Sequence, residues 1–251
     1  MRTRIRTKSY ICGDYRHVYL YPVYGYGGKR RRKRYRPTSE QQAELNARRA
    51  EKRLEMLLET NFDEHDYFFT CTYEPHLRPG KDEEALRQAK NFIRRLQYRC
   101  KRQGLPEPVA VWCTELSKEN KLYHHHFVIK CALPFDTLAQ IWGKGRAQGG
   151  HLHFAADGMT GLSKYLPKEP IGTVRYHATR NLKKPQELQD DNTSQARFGK
   201  LFDAVHFGDP AEIERVFPAY FVNQNATFAA DTLFGRYIYI KLYAKHSKFN
   251  K

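Results

Sequence analysis

The chain has 251 residues with 44 Lys and Arg against 27 Asp and Glu, a formal charge of +17, and 40% of its residues are apolar, with 17 Tyr and 15 Phe. That is enough apolar material for one large domain or a core with accessory pieces, so a folded, soluble protein is expected rather than a disordered one. The cationic excess favours polyanions through phosphate neutralisation, which points to nucleic acid without saying which kind.

In chain order, residues 1–36 hold strand-like stretches at Tyr10-Ile11-Cys12 and Val18-Tyr19-Leu20-Tyr21, then the run Lys29, Arg30, Arg31, Arg32, Lys33, Arg34, Tyr35 and Arg36. Such a block repels itself unless a polyanion is present, so it reads as an arm on a DNA backbone, its bland alternative being a solvated tail. Thr38 or Ser39 caps an expected helix to about Glu59, whose stripe of Ala43, Ala47, Ala50, Leu54 and Leu57-Leu58 reads as ordinary packing. A strand is expected at 66–73 and a turn at Pro79-Gly80. The clearest helix, 82–103, has Ala85, Leu86, Ala89, Phe92, Ile93, Leu96 and Cys100 on one face and is closed by Gly104.

Two strands follow, Val109 to Leu116 and Leu122 to Ile129, joined by the polar hairpin loop Ser117 to Lys121. Side chains alternate along a strand, so His124 and His126 project from one face about 7 Å apart, and the hairpin can bring Glu115 beside them. Glu115 shares parity with Val111 and Cys113, and a carboxylate buried there without a partner would be costly. Two imidazoles and one carboxylate suit a divalent ion that holds a phosphate oxygen, with Mg²⁺ or Mn²⁺ the expected occupant. Register decides which histidines serve: a slip by one residue would leave only His125 facing the site.

Next come a helix near Phe135 to Trp142, a strand at Gly150 to Phe154 and a helix at about 157–167. Positions three apart on a helix share a face, so Tyr165 and Lys168 point the same way, a nucleophile with a cationic helper. Lys164 is a substitute helper or a phosphate contact. Pro167 breaks or ends the helix there. His151-Leu152-His153 is a rival metal motif, but it lacks a Glu on an obvious partner strand. Gln186 to Gly199 reads as a polar loop. Tyr220 to Asn225 and Thr227 to Tyr243 read as aromatic-rich strands, better explained by a subdomain core than by base stacking.

These motifs, in this order, resemble the HUH endonucleases, and among them the rolling-circle replication initiators of phages and plasmids. The resemblance spans roughly residues 66–185. It rests on Phe68-Phe69-Thr70-Cys71-Thr72-Tyr73, Trp112 to Leu116, His124-His125-His126 with Phe127-Val128-Ile129, Gly161 to Lys168, and Arg180 to Pro185. Tandem-tyrosine members carry a tyrosine where this chain has Gly161, so a single-tyrosine enzyme is implied.

The resemblance implies an α+β, HUH-type sandwich whose largely antiparallel central sheet is packed by helices. The expected organisation is a basic arm and helix at 1–62, an endonuclease core at 63–185 and a β-rich accessory region at 186–251. It further implies a metal-dependent, site-specific nickase that acts on single-stranded or origin DNA. Tyr165 would keep the 5′ phosphate, release a free 3′-OH and re-join strands. A transposase or relaxase of a mobile element, or a non-catalytic basic nucleic-acid-binding protein, are the alternatives. The chain shows no Gly-x-x-x-x-Gly-Lys-Ser/Thr, because Gly25-Tyr26-Gly27-Gly28-Lys29 runs into Arg30, so a separate helicase is expected as partner. Cysteines at 12, 71, 100, 113 and 131, with no Cys-x-x-Cys pair, suit reduced thiols. No apolar run of about 18 residues and no leader pattern is seen, so a cytoplasmic protein without a membrane span is expected.

Overall fold

The computed structural model describes residues 4–24, 40–166, 171, 174–232 and 235–247. Its elements in chain order begin with β1 (Arg4–Cys12), β2 (Tyr15–Val23), α1 (Glu40–Asn61), β3 (Tyr67–Cys71), α2 (Asp82–Arg102), β4 (Val109–Leu116) and β5 (Tyr123–Lys130). They continue with α3 (Phe135–Trp142), β6 (Ala147–His151), α4 (Thr160–Tyr165), β7 (His177–Ala178), β8 (Gln186–Thr193), α5 (Gln195–Phe207), α6 (Pro210–Val216), β9 (Tyr220–Val222), β10 (Phe228–Thr232) and β11 (Gly235–Ala244). All strand pairs are antiparallel and the helices pack on sheet faces, so the chain is an α+β protein. No described helix is long and apolar enough to cross a membrane.

The chain divides into two compact units, one made of Met1–Arg49, Ala155–Gly158 and Lys184–Lys251, the other of Ala50–Phe154 and Met159–Lys183. In the second unit the strands run β6-β3-β5-β4-β7. Strand alternation gives this sheet two apolar faces. On one, Phe69, Cys71, Ala110, Trp112, Phe127 and Ile129 meet Phe92, Ile93 and Leu96 of α2 and Leu138 and Trp142 of α3. Edge-to-face and stacked ring pairs among Phe69, Phe92, Phe127 and Trp142 add about 0.5–1.5 kcal/mol each to the area they bury. On the other face, Val111, Cys113 and Val128 meet Leu54 and Leu58 of α1, together with Leu152, Met159 and Leu166 around α4. Two helical layers thus enclose one sheet.

Helix α2 forms where its periodicity places it, with Asp82, Glu83 and Glu84 in the first turn and Arg99, Lys101 and Arg102 in the last, matched to the helix dipole. Gly104 follows in the left-handed region at φ 66°. Strand β6 lies earlier than the expected Gly150 to Phe154. Gly149 explains why: a Cβ there would collide with the carbonyl of Phe68 and with Phe69, so this glycine lets β6 lie against β3. Leu152 then leaves the edge and is buried on the α1 side. Helix α4 is shorter than the expected 157–167, and Pro167 lies outside the described residues.

In the first unit β10-β11-β2-β1-β8 form a sheet, with β9 also pairing β11. Ile5, Val18, Leu20, Ile238, Ile240 and Leu242 face Phe198, Leu201 and Phe202 of α5 and Ile213 of α6. Here one expectation is corrected: Gln186 to Gly199 is not a loop but strand β8 followed by the start of α5. Strand β8 carries no apolar alternation because it is an exposed edge. It is held by pairing with β1 and by Arg6 with Asp191 at 2.6 Å and Lys8 with Glu187 at 2.9 Å. Ser194 caps α5 by accepting from the Arg197 backbone N–H, and Gly208 ends it at φ 73°. The expected strands beyond residue 220 are β9, β10 and β11.

Candidate active site

Register places the hairpin chemistry. Between β4 and β5, Glu115 lies opposite His124, Thr114 opposite His125 and Cys113 opposite His126. Across the other side of β5, Thr70 lies opposite His126. Cross-strand partners share a face, so Thr70, Glu115, His124 and His126 all project toward the α1 and α4 side. His125 projects the other way. It is fully buried, shares hydrogen bonds with Tyr73 Oη at 2.6 Å and Thr114 Oγ1 at 2.9 Å, and packs edge-on against Trp142. Burial pushes its pKa down to about 3, so it is a neutral core residue.

On the opposite face His126 Nε2 lies 3.2 Å from Glu115 Oε2, while Nδ1 shares a 2.8 Å hydrogen bond with Thr70 Oγ1. The threonine fixes the ring and turns Nε2 toward the carboxylate, the arrangement a metal-binding imidazole needs. Two buried atoms here, Glu115 Oε1 and His124 Nε2, have no hydrogen-bond partner among the described residues. Orphaned buried polar atoms are costly, and a carboxylate oxygen beside two imidazole nitrogens is a donor set suited to a divalent cation. Burial, then the neighbouring His126, lowers the His124 pKa against the pull of Glu115.

Tyr165 ends α4 over this cluster. Its ring centroid is 5.0 Å from that of His126, edge to face, and 6.2 Å from Phe68. The residue is 47% exposed. Burial first, and then Glu115 and Cys113, raise its pKa, so the phenol is held in its protonated form. Lys164 is exposed on α4. Lys168 and the run Lys29, Arg30, Arg31, Arg32, Lys33 and Arg34 lie outside the described residues. Of the rival pair, His151 pairs with Tyr67 on the α2 and α3 face, stacks on it at 4.7 Å and bonds to the His65 carbonyl, away from Glu115.

Two buried glutamates of α1 set the tyrosine helix in place, and neither was legible as a site residue. Glu59 Oε1 accepts from the Met159 backbone N–H at the N-terminus of α4, and Glu55 accepts from the Thr160 hydroxyl at 2.7 Å and from Lys52 Nζ at 2.8 Å. Both lie next to the Leu54 and Leu58 stripe and are about as buried as those leucines, at 2% and 3% exposure. The signal in sequence was a pair of carboxylates four apart beside an apolar stripe. Thr70, the His126 partner, was likewise part of a recognised strand motif with no role attached.

No curated protein and no solved structure matches the chain. Residues 66–170, which run from the start of β3 past Tyr165 and so contain Glu115, His124 and His126, match the family model for the replication-associated protein ORF2, and this match supports a replication initiator of the phage and plasmid kind.

Proposed function

We propose that the second unit is a rolling-circle nickase that cuts one strand of single-stranded or origin DNA and holds the cut end on Tyr165. The observation that carries this reading is the Tyr165 ring against His126, itself bonded to Glu115 on the same sheet face. Glu115, His124 and His126 would hold Mg²⁺ or Mn²⁺, and the two orphaned atoms, Glu115 Oε1 and His124 Nε2, fit that role. When bound, the ion supplies Lewis-acid stabilisation of charge on the scissile phosphate.

The chain's own residues do the rest. The phenolic oxygen of Tyr165 attacks phosphorus and its proton passes to solvent, to which the side chain is open. The 3′ oxygen leaves with the bonding pair and is protonated, giving the free 3′-OH that primes synthesis. The 5′ phosphate stays on Tyr165 as a phosphotyrosine, and reversal by a 3′-OH re-joins the strand. Lys168 is the proposed cationic helper, Lys164 a phosphate contact, and the Lys29 to Arg34 run a backbone-binding arm. In this reading a helicase activity supplies the unwinding.

The test is a nicking assay on single-stranded oligonucleotides from the element's candidate origin, with Mn²⁺ or with chelator, scored for covalent adducts on a denaturing gel. Metal-dependent adducts absent from Tyr165→Phe are expected. Adducts that persist in Tyr165→Phe would move the nucleophile to another tyrosine, and tight binding with no adduct on any segment would favour a non-catalytic DNA-binding protein.

A further inference from the structure

The back of the second unit carries a feature that nicking does not use. Between Leu86 and Pro106 the chain has seven cations and no carboxylate. Three of them, Arg95, Arg99 and Arg102, are spaced by four and three residues, so they stack along one exposed face of α2. Like charges at that spacing repel, and among the described residues no carboxylate pairs with any of the three. With Tyr98, Gln103 and Gln140 they line a cleft of about 550 Å³ between α2 and α3, within the roughly 300–1,000 Å³ of ligand sites.

The cleft is built rather than incidental. Arg95 donates from Nε and Nη2 to the carbonyl of Ile141 and from Nη2 to that of Trp142, so it ties the C-terminal end of α3 to α2 and fixes one wall. Tyr98 is 63% exposed, and the Arg102 guanidinium lies over its ring at 5.9 Å. An aromatic plate flanked by guanidinium groups that no carboxylate neutralises, with side-chain amides at the rim, is the chemistry that takes a phosphodiester strand: guanidinium forks on phosphate oxygens and a ring on which a base stacks. A helix dipole accounts for cations in the last turn of α2, but not for Arg95 one turn earlier, for the exposed Tyr98 ring between them, nor for a second wall.

We propose that this cleft is a second nucleic-acid subsite, which grips a single strand at a point separate from the nicking centre. It lies on the α2 and α3 side of the sheet, whereas Glu115, His126 and Tyr165 lie on the α1 and α4 side. Contacts to backbone and ring make it indifferent to sequence, so it holds DNA that is not being cut.

The full chain is tested with a fluorescein-labelled oligo(dT) in chelator, by anisotropy across a salt series. Without metal no cleavage enters, so the result stands whether or not Tyr165 is the nucleophile. Arg99→Gln with Arg102→Gln is expected to make the plot of log K against log salt shallower by about 1.4, two contacts at about 0.7 each. Tyr98→Ala is expected to weaken binding about tenfold with an unchanged slope, and Arg99→Lys with Arg102→Lys to keep the wild-type slope. A wild-type slope and affinity in the double Gln variant overturns the proposal. So does loss of binding to a labelled poly-glutamate peptide with DNA binding intact, which would assign the cleft to an acidic protein. Ultraviolet cross-linking of the unmutated chain to a 5-iododeoxyuridine strand gives a readout free of folding effects. Adducts at Tyr98 are expected, and adducts confined to other residues also overturn it.

Discussion

His125 and His126 are adjacent in one strand, and the sheet puts them to opposite uses. His125 enters a dry aromatic layer, where Tyr73 and Thr114 satisfy both ring nitrogens and burial holds it neutral. His126 enters a polar pocket, where one nitrogen is fixed by Thr70 and the other is aimed at a carboxylate. The same side chain is a satisfied core residue on one face and, in the proposed function, a metal ligand on the other. What separates them is strand parity, set by the pairing of Thr114 with His125 and of Glu115 with His124.

The widest break of that comparison is His126→Ala, which should bring nicking down to the level of the chelated protein. Outer partners of a metal ligand cost about 10–100-fold when removed, and a ligand should exceed that. Its unfolding midpoint should fall as well, because the buried His126 ring is bonded to Thr70 and Glu115, so nicking is read per folded molecule. His125→Ala should act through stability alone. It leaves a ring-sized cavity and strips Tyr73 and Thr114 of buried partners, about 3–5 kcal/mol of stability by denaturant titration. Its folded fraction should keep far more nicking activity than His126→Ala. Equal activity loss in both variants would mean that the two faces do not divide the work as the register implies.

A smaller effect tests how the tyrosine is held against the chemical face. Glu55→Ala removes the acceptor of the Thr160 hydroxyl and of Lys52, about 2 kcal/mol given that Lys52 is partly solvated. Nicking should fall while affinity for Mn²⁺ stays unchanged, because the metal cluster is on the sheet and α4 is what moves. A fall in Mn²⁺ affinity would instead tie α4 to the metal pocket.

The sequence carried the second unit well because its signals are local and redundant. The α2 stripe, the β4 and β5 hairpin and the His124-His125-His126 alternation each specify an element or a face without help from elsewhere in the chain. Strand β8 failed to show because an edge strand is stabilised by its neighbour: Asp191 and Glu187 look like loop residues until Arg6 and Lys8, far away in sequence, stand beside them. Helices α5 and α6 were missed although Ser194, Gly208 and Asp209-Pro210 are cap signals. At the site, the grouping of Glu115, His124 and His126 on one sheet face was readable from spacing. Thr70, Glu55 and Glu59 were not, because each acts through a partner on another element.

The finest cut across the two faces is therefore Thr70→Val, a change of one hydroxyl for a methyl at constant shape. Val suits a strand at least as well as Thr, so β3 and its pairing with β5 should persist, with about 1–3 kcal/mol lost for the His126 nitrogen left without a partner. What is lost is the 2.8 Å bond that holds the His126 ring. The ring is then free to rotate Nε2 away from Glu115, and the ligand set loses its preorganisation rather than a member. Mn²⁺ affinity, read by calorimetry, should fall about 10–100-fold, with nicking recovered when Mn²⁺ is raised. Thr70→Ser, which restores the hydroxyl, should restore affinity as well. If Thr70→Val binds Mn²⁺ as the wild type does, the His126 ring is held by its stacking on Phe68 and its edge contact with Tyr165 instead, and the threonine belongs to the strand alone.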